Sequence, residues 1–169
     1  SAIDKYIFVT VKKRFDRKLR IGYTQTEMVD EVSQIHHEMI REALLLTGVS
    51  HGIEVTTMGD IPSEGSGLGS SSTVTVGALH ALHTYLSNSV TMEQLAREAC
   101  DIEIGRLGKP IGIQDQYIAA YGNLRFFEFC PNGQVKVEKV SLDTDLRREL
   151  NDRFMLFFTG ISRKADSVL

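Results

Sequence analysis

The stretch Pro62-Ser63-Glu64-Gly65-Ser66-Gly67-Leu68-Gly69-Ser70-Ser71-Ser72 decides how the rest of the chain is read. A phosphate is bound by several backbone N–H groups converging on one point. Only residues without a Cβ let the backbone turn that sharply and approach that closely. Gly65, Gly67 and Gly69 supply that freedom. Ser70, Ser71 and Ser72 then open a helix whose N-terminus carries unpaired N–H donors and the positive end of the helix dipole. Two familiar phosphate loops do not fit. A Walker A loop needs a Lys-Ser/Thr pair after its last glycine, and Ser70 follows Gly69. A dinucleotide fingerprint needs an acidic residue about 20 positions on, in a parallel βαβ unit, and position 89 is serine. A flexible Gly-Ser linker is the remaining alternative. Strongly patterned flanks on both sides weaken it.

Upstream, Tyr6–Phe15 is rich in aromatic and β-branched residues and reads as a strand, with a second at Leu19–Tyr23. Thr24 and Glu27 have the spacing of a capping box. A helix is expected to follow, with the stripe Met28, Val32, Ile35, Met39, Ala43 and Leu46 ending at Gly48. His36 and His37 on that helix have no ligand partner at useful spacing and read as structural or surface residues. Gly52–Met58 alternates as a strand. Downstream, a helix runs from about Ser70 to Leu86. A second capping box at Thr91 and Gln94 starts another, with the stripe Met92, Leu95, Ala96, Ala99, Ile102 and Arg106. Asp115–Ala120 reads as helix, Leu124–Phe129 and Gln134–Val140 as a hairpin about Pro131-Asn132-Gly133, and Asp145–Asn151 as helix. Phe154–Thr159 reads as a buried strand and Ser162–Leu169 as the start of a helix. Strands and helices mix without βαβ alternation. The expected class is α+β, with helices on one face of a mixed, largely antiparallel sheet.

The bulk composition fits a globular domain with a sizeable core: 169 residues, 42% hydrophobic and 24% charged. The net charge of −3 speaks against a nucleic-acid binder. The runs Lys12-Lys13-Arg14 and Arg17-Lys18-Arg20 read as a solvated strand face. Cys100 and Cys130 have no metal or disulfide spacing and read as free, buried thiols in a reducing compartment. No signal peptide opens the sequence, and no apolar run approaches the roughly 18 residues of a membrane span. A cytoplasmic home without a membrane partner is the expectation.

Two carboxylates extend the loop into a candidate active site. Asp115, in Gly112-Ile113-Gln114-Asp115-Gln116, follows a loop broken by Gly108, Pro110 and Gly112. A carboxylate near an acceptor hydroxyl can take its proton or orient it for in-line transfer. Alone, Asp115 reads as an N-cap before it reads as a catalytic group. Glu103 alters that balance, because helical spacing puts it on or beside the apolar stripe, where a carboxylate is costly unless paired or metal-bound. A magnesium ion takes one or two carboxylates plus phosphate oxygens, so Glu103 and a loop serine could hold it. A salt bridge from Glu103 to Arg106 or Lys109 is the alternative.

These residues resemble the GHMP kinases, the superfamily of galactokinase, homoserine kinase and mevalonate kinase, whose hallmark is Pro-x-x-x-Gly-Leu-Gly-Ser-Ser-Ala. Here four residues separate Pro62 from Gly67, one more than in the hallmark, and Ser72 replaces the alanine. Within the superfamily, Gly108–Tyr117, Ala120-Tyr121-Gly122-Asn123, Phe126–Phe129, Ile3-Asp4-Lys5-Tyr6 and Thr159–Arg163 are similar to the D-glycero-D-manno-heptose 7-phosphate kinase branch. The resemblance covers essentially the whole chain. It implies the GHMP N-terminal domain fold, of the ribosomal protein S5 domain 2 type with a left-handed βαβ unit, against the usual crossover hand. It implies ATP and Mg2+ as cofactors, with the ATP phosphates on Gly65, Ser66, Gly67, Leu68, Gly69, Ser70, Ser71 and Ser72. It further implies magnesium at Ser71 and Glu103, and Asp115 as base or orienting carboxylate. The implied reaction is phosphoryl transfer to a sugar hydroxyl, most specifically the anomeric hydroxyl of the heptose 7-phosphate. Alternatives are a kinase for an unphosphorylated sugar, galactokinase- or fucokinase-like, or a nucleotide-binding fragment without turnover. Lys109, Arg125, Arg163 and Lys164 are the candidate cations for a sugar phosphate. Family members carry a basic motif upstream of the position of Ser1 and a glycine-rich one beyond Leu169. The expectation is therefore that 1–150 is the N-terminal domain, incomplete at its start, and 151–169 the beginning of the C-terminal domain. Apolar surface bared by such a division is compatible with a homo-oligomer.

Overall fold

Strand β1 (Ile7–Lys13) half-buries Ile7, Val9 and Val11 and pairs antiparallel with β4 (Ile53–Gly59), from Ile7 opposite Gly59 to Lys13 opposite Ile53. The chain is described here by a computed structural model covering residues 1–61, 66–155 and 157. β2 (Leu19–Gly22) runs parallel to β4 and antiparallel to β3 (Thr26–Val29), so the sheet order is β1-β4-β2-β3. Register is set by the buried face: Leu19 and Ile21 lie beside Ile53 and Val55, and all four are fully buried.

Four helices cover that face: α1 (Glu38–Thr47), α2 (Ser70–Tyr85), α3 (Met92–Cys100) and α4 (Gln114–Tyr121). α2 is the central one, packed on β1, α1, α3 and α4. That explains why it buries Val74, Val76, Ala78, Leu79 and Leu82 on several sides rather than along one stripe. α2 and β1 meet through Gly77, where a Cβ would stand 2.9 Å from Val9 Cγ2. The hairpin β5 (Arg125–Phe129) and β6 (Val135–Lys139) forms a separate two-stranded sheet, turning at Gly133 with φ +80°. α5 (Thr144–Asp152) follows and buries none of its residues. The α+β architecture matches the expectation, with an antiparallel pair at each end of the main sheet and one parallel pair in its middle.

Four expectations need correction. The helix expected after Thr24 starts instead at Glu38: residues 26–29 are β3, followed by a 3-10 turn at Val32–Gln34. Glu27 does not box Thr24. Its carboxylate accepts the backbone N–H groups of His36 and His37, at 2.6 and 3.0 Å. His37 precedes α1 and caps it through Nδ1, which accepts from the Ile40 N–H. Second, Gln94 makes no reciprocal box with Thr91. Thr91 Oγ1 accepts from the Gln94 N–H, but the Gln94 side chain turns to Glu98. Third, Phe154, Met155 and Phe157 are exposed and in no strand. The rest of that apolar run, and the helix expected at Ser162–Leu169, lie outside the described residues. Fourth, the two cysteines are free as expected but half-buried rather than buried. Among the described residues no helix is long and apolar enough to cross a membrane.

Candidate active site

The first turn of α2 begins at Gly69, whose φ of +70° places it in the left-handed region, as does the +69° of Gly67. Both conformations suit glycine and strain other residues. Gly69 at the N-cap offers no side chain to the first N–H groups of α2, so those donors remain for an anion. Ser66 Oγ lies 2.7 Å from Ser70 Oγ and accepts the Leu68 N–H, which folds the loop back on the helix start. Of the residues expected at the phosphates, Ser66 to Ser72 are thus gathered at one helix end. Gly65 lies outside the described residues.

Glu103 reaches the same place from another element. α3 continues at Asp101–Arg106 as a π-helical turn, a feature common at functional sites. That turn buries both Ile102 and Glu103, and Glu103 has no solvent exposure at all. Its Oε2 accepts from Ser72 Oγ at 3.2 Å and from Ser71 Oγ at 3.4 Å. Its Oε1 is buried without a hydrogen-bond partner among the described residues. Neither candidate cation takes it: Arg106 bonds Asp101 and lies near Glu42, and Lys109 pairs with Glu38 at 2.9 Å. Burial holds the Glu103 carboxyl above the usual glutamate range, against the pull of Thr75, Lys109 and Ser72. Burial likewise pushes the neighbouring Cys100 thiol up to about 11, with the charges of Glu103 and Glu93 adding to it. Cys100 is therefore an inert thiol here.

Asp115 is the second residue of α4, exposed, and not its cap: the N-cap position belongs to Ile113. Its carboxylate faces the loop. A Cβ on Gly69 would stand 3.5 Å from Asp115 Cγ and 3.6 Å from Oδ2. Gly67–Ser70 and Asp115 line one cavity of about 430 Å3, which Lys5, Tyr6, Ile118 and Gly122 help to close. The Ala2 N–H holds the first segment of the chain against Asn123 O at 2.9 Å, and so brings Lys5 to this cavity. Of the cations expected to serve a sugar phosphate, Lys109 is held by Glu38, and Arg125 donates to the carbonyls of Tyr121 and Gly122. Arg163 and Lys164 lie outside the described residues. Lys5 and the buried amide of Gln116 were missed by sequence reasoning. Gln116 stands next to Asp115 in sequence, but only the packing shows its side chain turned inward.

The arrangement suits a phosphate with a bound cation. The glycine cradle leaves room for anion oxygens, and an orphaned buried carboxylate oxygen beside two hydroxyls suits a hard cation. Among the described residues no group of three or more His, Cys, Asp or Glu could hold a metal. A cation at Glu103 would therefore need further oxygens from the phosphate itself. The open carboxylate of Asp115 on the cavity side can accept a proton from a hydroxyl placed there.

The model of the family described as GHMP kinases N terminal domain matches residues 21–123. The D-glycero-alpha-D-manno-heptose 7-phosphate kinase of Campylobacter jejuni is 31% identical over 183 residues, an alignment covering 99% of this chain and 53% of that protein. The crystal structure of a D-glycero-D-manno-heptose 1-phosphate kinase from Bacteroides thetaiotaomicron superposes with a TM-score of 0.80 at 28% identity, over 87% of this chain and 52% of the other. Lactococcus lactis galactokinase gives 0.63 at 20% identity, over 78% and 38%, a likeness of fold alone. The chain spans about half the length of the relatives it matches. The matched model takes in the loop, Glu103 and Asp115 together, and the chain belongs to the GHMP kinases through their N-terminal domain.

Proposed function

We propose that this chain carries the phosphate-binding and acceptor-activating residues of a cytoplasmic ATP- and Mg2+-dependent sugar-phosphate kinase. The proposed acceptor is the anomeric hydroxyl of D-glycero-D-manno-heptose 7-phosphate. The observation that carries this reading is the approach of the Asp115 carboxylate to Gly69, at the mouth of a cavity that it shares with the loop. Gly67, Gly69 and the first N–H groups of α2 would hold the transferring phosphates, and Ser71 and Glu103 would hold the magnesium ion. When bound, that ion would neutralise charge on the phosphate oxygens. Asp115 orients the acceptor hydroxyl and takes its proton as the new O–P bond forms and the bond to the departing ADP breaks.

An anionic acceptor is supported by Lys5, which lines the cavity and makes no ion pair among the described residues. The experiment is turnover of the intact gene product on heptose 7-phosphate and on the same heptose without phosphate. Preference for the phosphate, with a roughly 10-fold rise in its KM in Lys5→Ala and none for the free sugar, is expected. Equal turnover of both sugars by the wild type would place the enzyme among kinases of unphosphorylated sugars.

A further inference from the structure

Gln116 has no solvent exposure, although its neighbour Asp115 is exposed. With the amide turned so that donors meet acceptors, Nε2 donates to the carbonyl oxygens of Gly112 and Ile113, each at 3.2 Å. Oε1 accepts from Ser72 Oγ, again at 3.2 Å. Ser72 Oγ stands at the same distance from Glu103 Oε2, so its single proton is shared between the amide oxygen and the carboxylate. One side chain thus grips the two residues that lead into α4 and links them, through Ser72, to the buried carboxylate at the start of α2. We infer that Gln116 is a positioning residue for phosphoryl transfer, fixing the first turn of α4 so that Asp115 is held against the phosphate loop. This inference rests on the kinase reading above.

The rest of the helix does not need Gln116. From its fourth residue on it is held by Tyr117 and Tyr121, whose hydroxyls both donate to Glu93, at 3.0 and 3.1 Å. Stacking of the two rings on each other and edge contacts with Phe127 add to that hold. The entry to α4 has no such support. It follows a loop with Gly108 at φ +64° and an exposed Gly112, and no side chain caps it. Without the amide, the Gly112 and Ile113 carbonyls each lose that donor, Ile113 keeping only the long bond from the Tyr117 N–H at 3.3 Å, and the first turn is freer to shift relative to α2. A shift of about 1 Å at a reacting group can cost on the order of 100-fold in rate. Ser72 stands where the family pattern has alanine, so this chain has a hydroxyl between Gln116 and Glu103 that the pattern lacks.

The test uses Gln116→Met in the intact gene product, a change that keeps length and volume and removes the amide. The expected result is a fall in kcat of about 10- to 100-fold, with little change in KM for ATP or in melting temperature. Amide hydrogen exchange in the first turn of α4 should quicken, while that of its last turn stays as it was. In an Asp115→Asn background the same substitution should cost no further turnover, because its effect runs through Asp115. Losses that multiply independently, or a loss confined to ATP affinity, would overturn the inference. If the methionine variant does not fold, Ser72→Ala cuts the link from its other end. That variant should show the same localised exchange change and a smaller fall in kcat, and no change in either would equally overturn it. A wild-type protein that phosphorylates no sugar refutes the kinase reading, while the exchange comparison still decides whether Gln116 fixes the turn.

Discussion

Glu103 is fully buried with one carboxylate oxygen unpartnered among the described residues, beside serines that satisfy the other. Leaving a buried acceptor unsatisfied costs about 1–3 kcal/mol. Folding alone gives no reason to keep such a residue, and a bound cation does. The sign of its pH effect follows from the raised folded pKa. The native state holds the proton more tightly than the unfolded chain, so stability falls as pH rises through the glutamate range. Glu103→Gln removes that loss. The ligand-free variant is expected to melt higher, by about 2–4 °C for each kcal/mol regained, with a larger gain near about pH 8 than near about pH 5. It should also lose Mg2+-dependent nucleotide affinity. A lower melting temperature at both pH values would make Glu103 a structural residue. Helical spacing was enough to place Glu103 on the inner face. Its freedom from Arg106 and Lys109 was not legible, because the residues that hold those cations, Asp101, Glu42 and Glu38, come partly from α1.

At the scale of elements, α2 carries the loop and must sit close to β1. Gly77 sets that distance, since a Cβ there would meet Val9 Cγ2 at 2.9 Å and a valine cannot easily turn aside. Helix propensity alone would favour Gly77→Ala by about 1 kcal/mol. Overpacking against β1 is expected to outweigh it, giving a net destabilisation of about 1–2 kcal/mol in urea unfolding. Val9→Ala in the same chain should recover part of the loss. A stabilised single variant would show that α2 has room to move. The elements with their own local signal were legible in the sequence: the alternating β1 and β4, the apolar α2, and the Asn132-Gly133 turn. β3 was not. Met28, Val32, Ile35 and Met39 have helical spacing, yet β3 exists because residues 26–29 complete a ladder with β2. That pairing partner, and the role of Glu27 in holding His36 and His37, lie outside any local window.

For the whole molecule, three segments far apart in sequence meet at one cavity: the stretch around Lys5, the loop at Gly67–Ser70, and the start of α4. A fourth, the π-helical turn, brings Glu103 beneath the loop serines. The sheet sets this meeting, because β1 and β4 end side by side at Ile7 and Gly59, so the chain enters the loop next to the place where it entered β1. Of the loop, residues 66–72 stand at the start of α2, where the sequence reading expected them. The grouping of loop, Glu103 and Asp115 was argued from helical spacing and carboxylate chemistry and then from the family pattern, while the packing of α2, α3 and α4 that brings them together has no local signal. The most direct measurement is Asp115→Asn in the intact gene product, comparing turnover with Mg2+-ATP affinity by titration calorimetry. The account predicts turnover lower by at least about 100-fold, the lower range for loss of a positioned general base, with nucleotide affinity nearly intact. Turnover within a few-fold of wild type would contradict it, and so would a loss of nucleotide affinity that accounts for the whole effect.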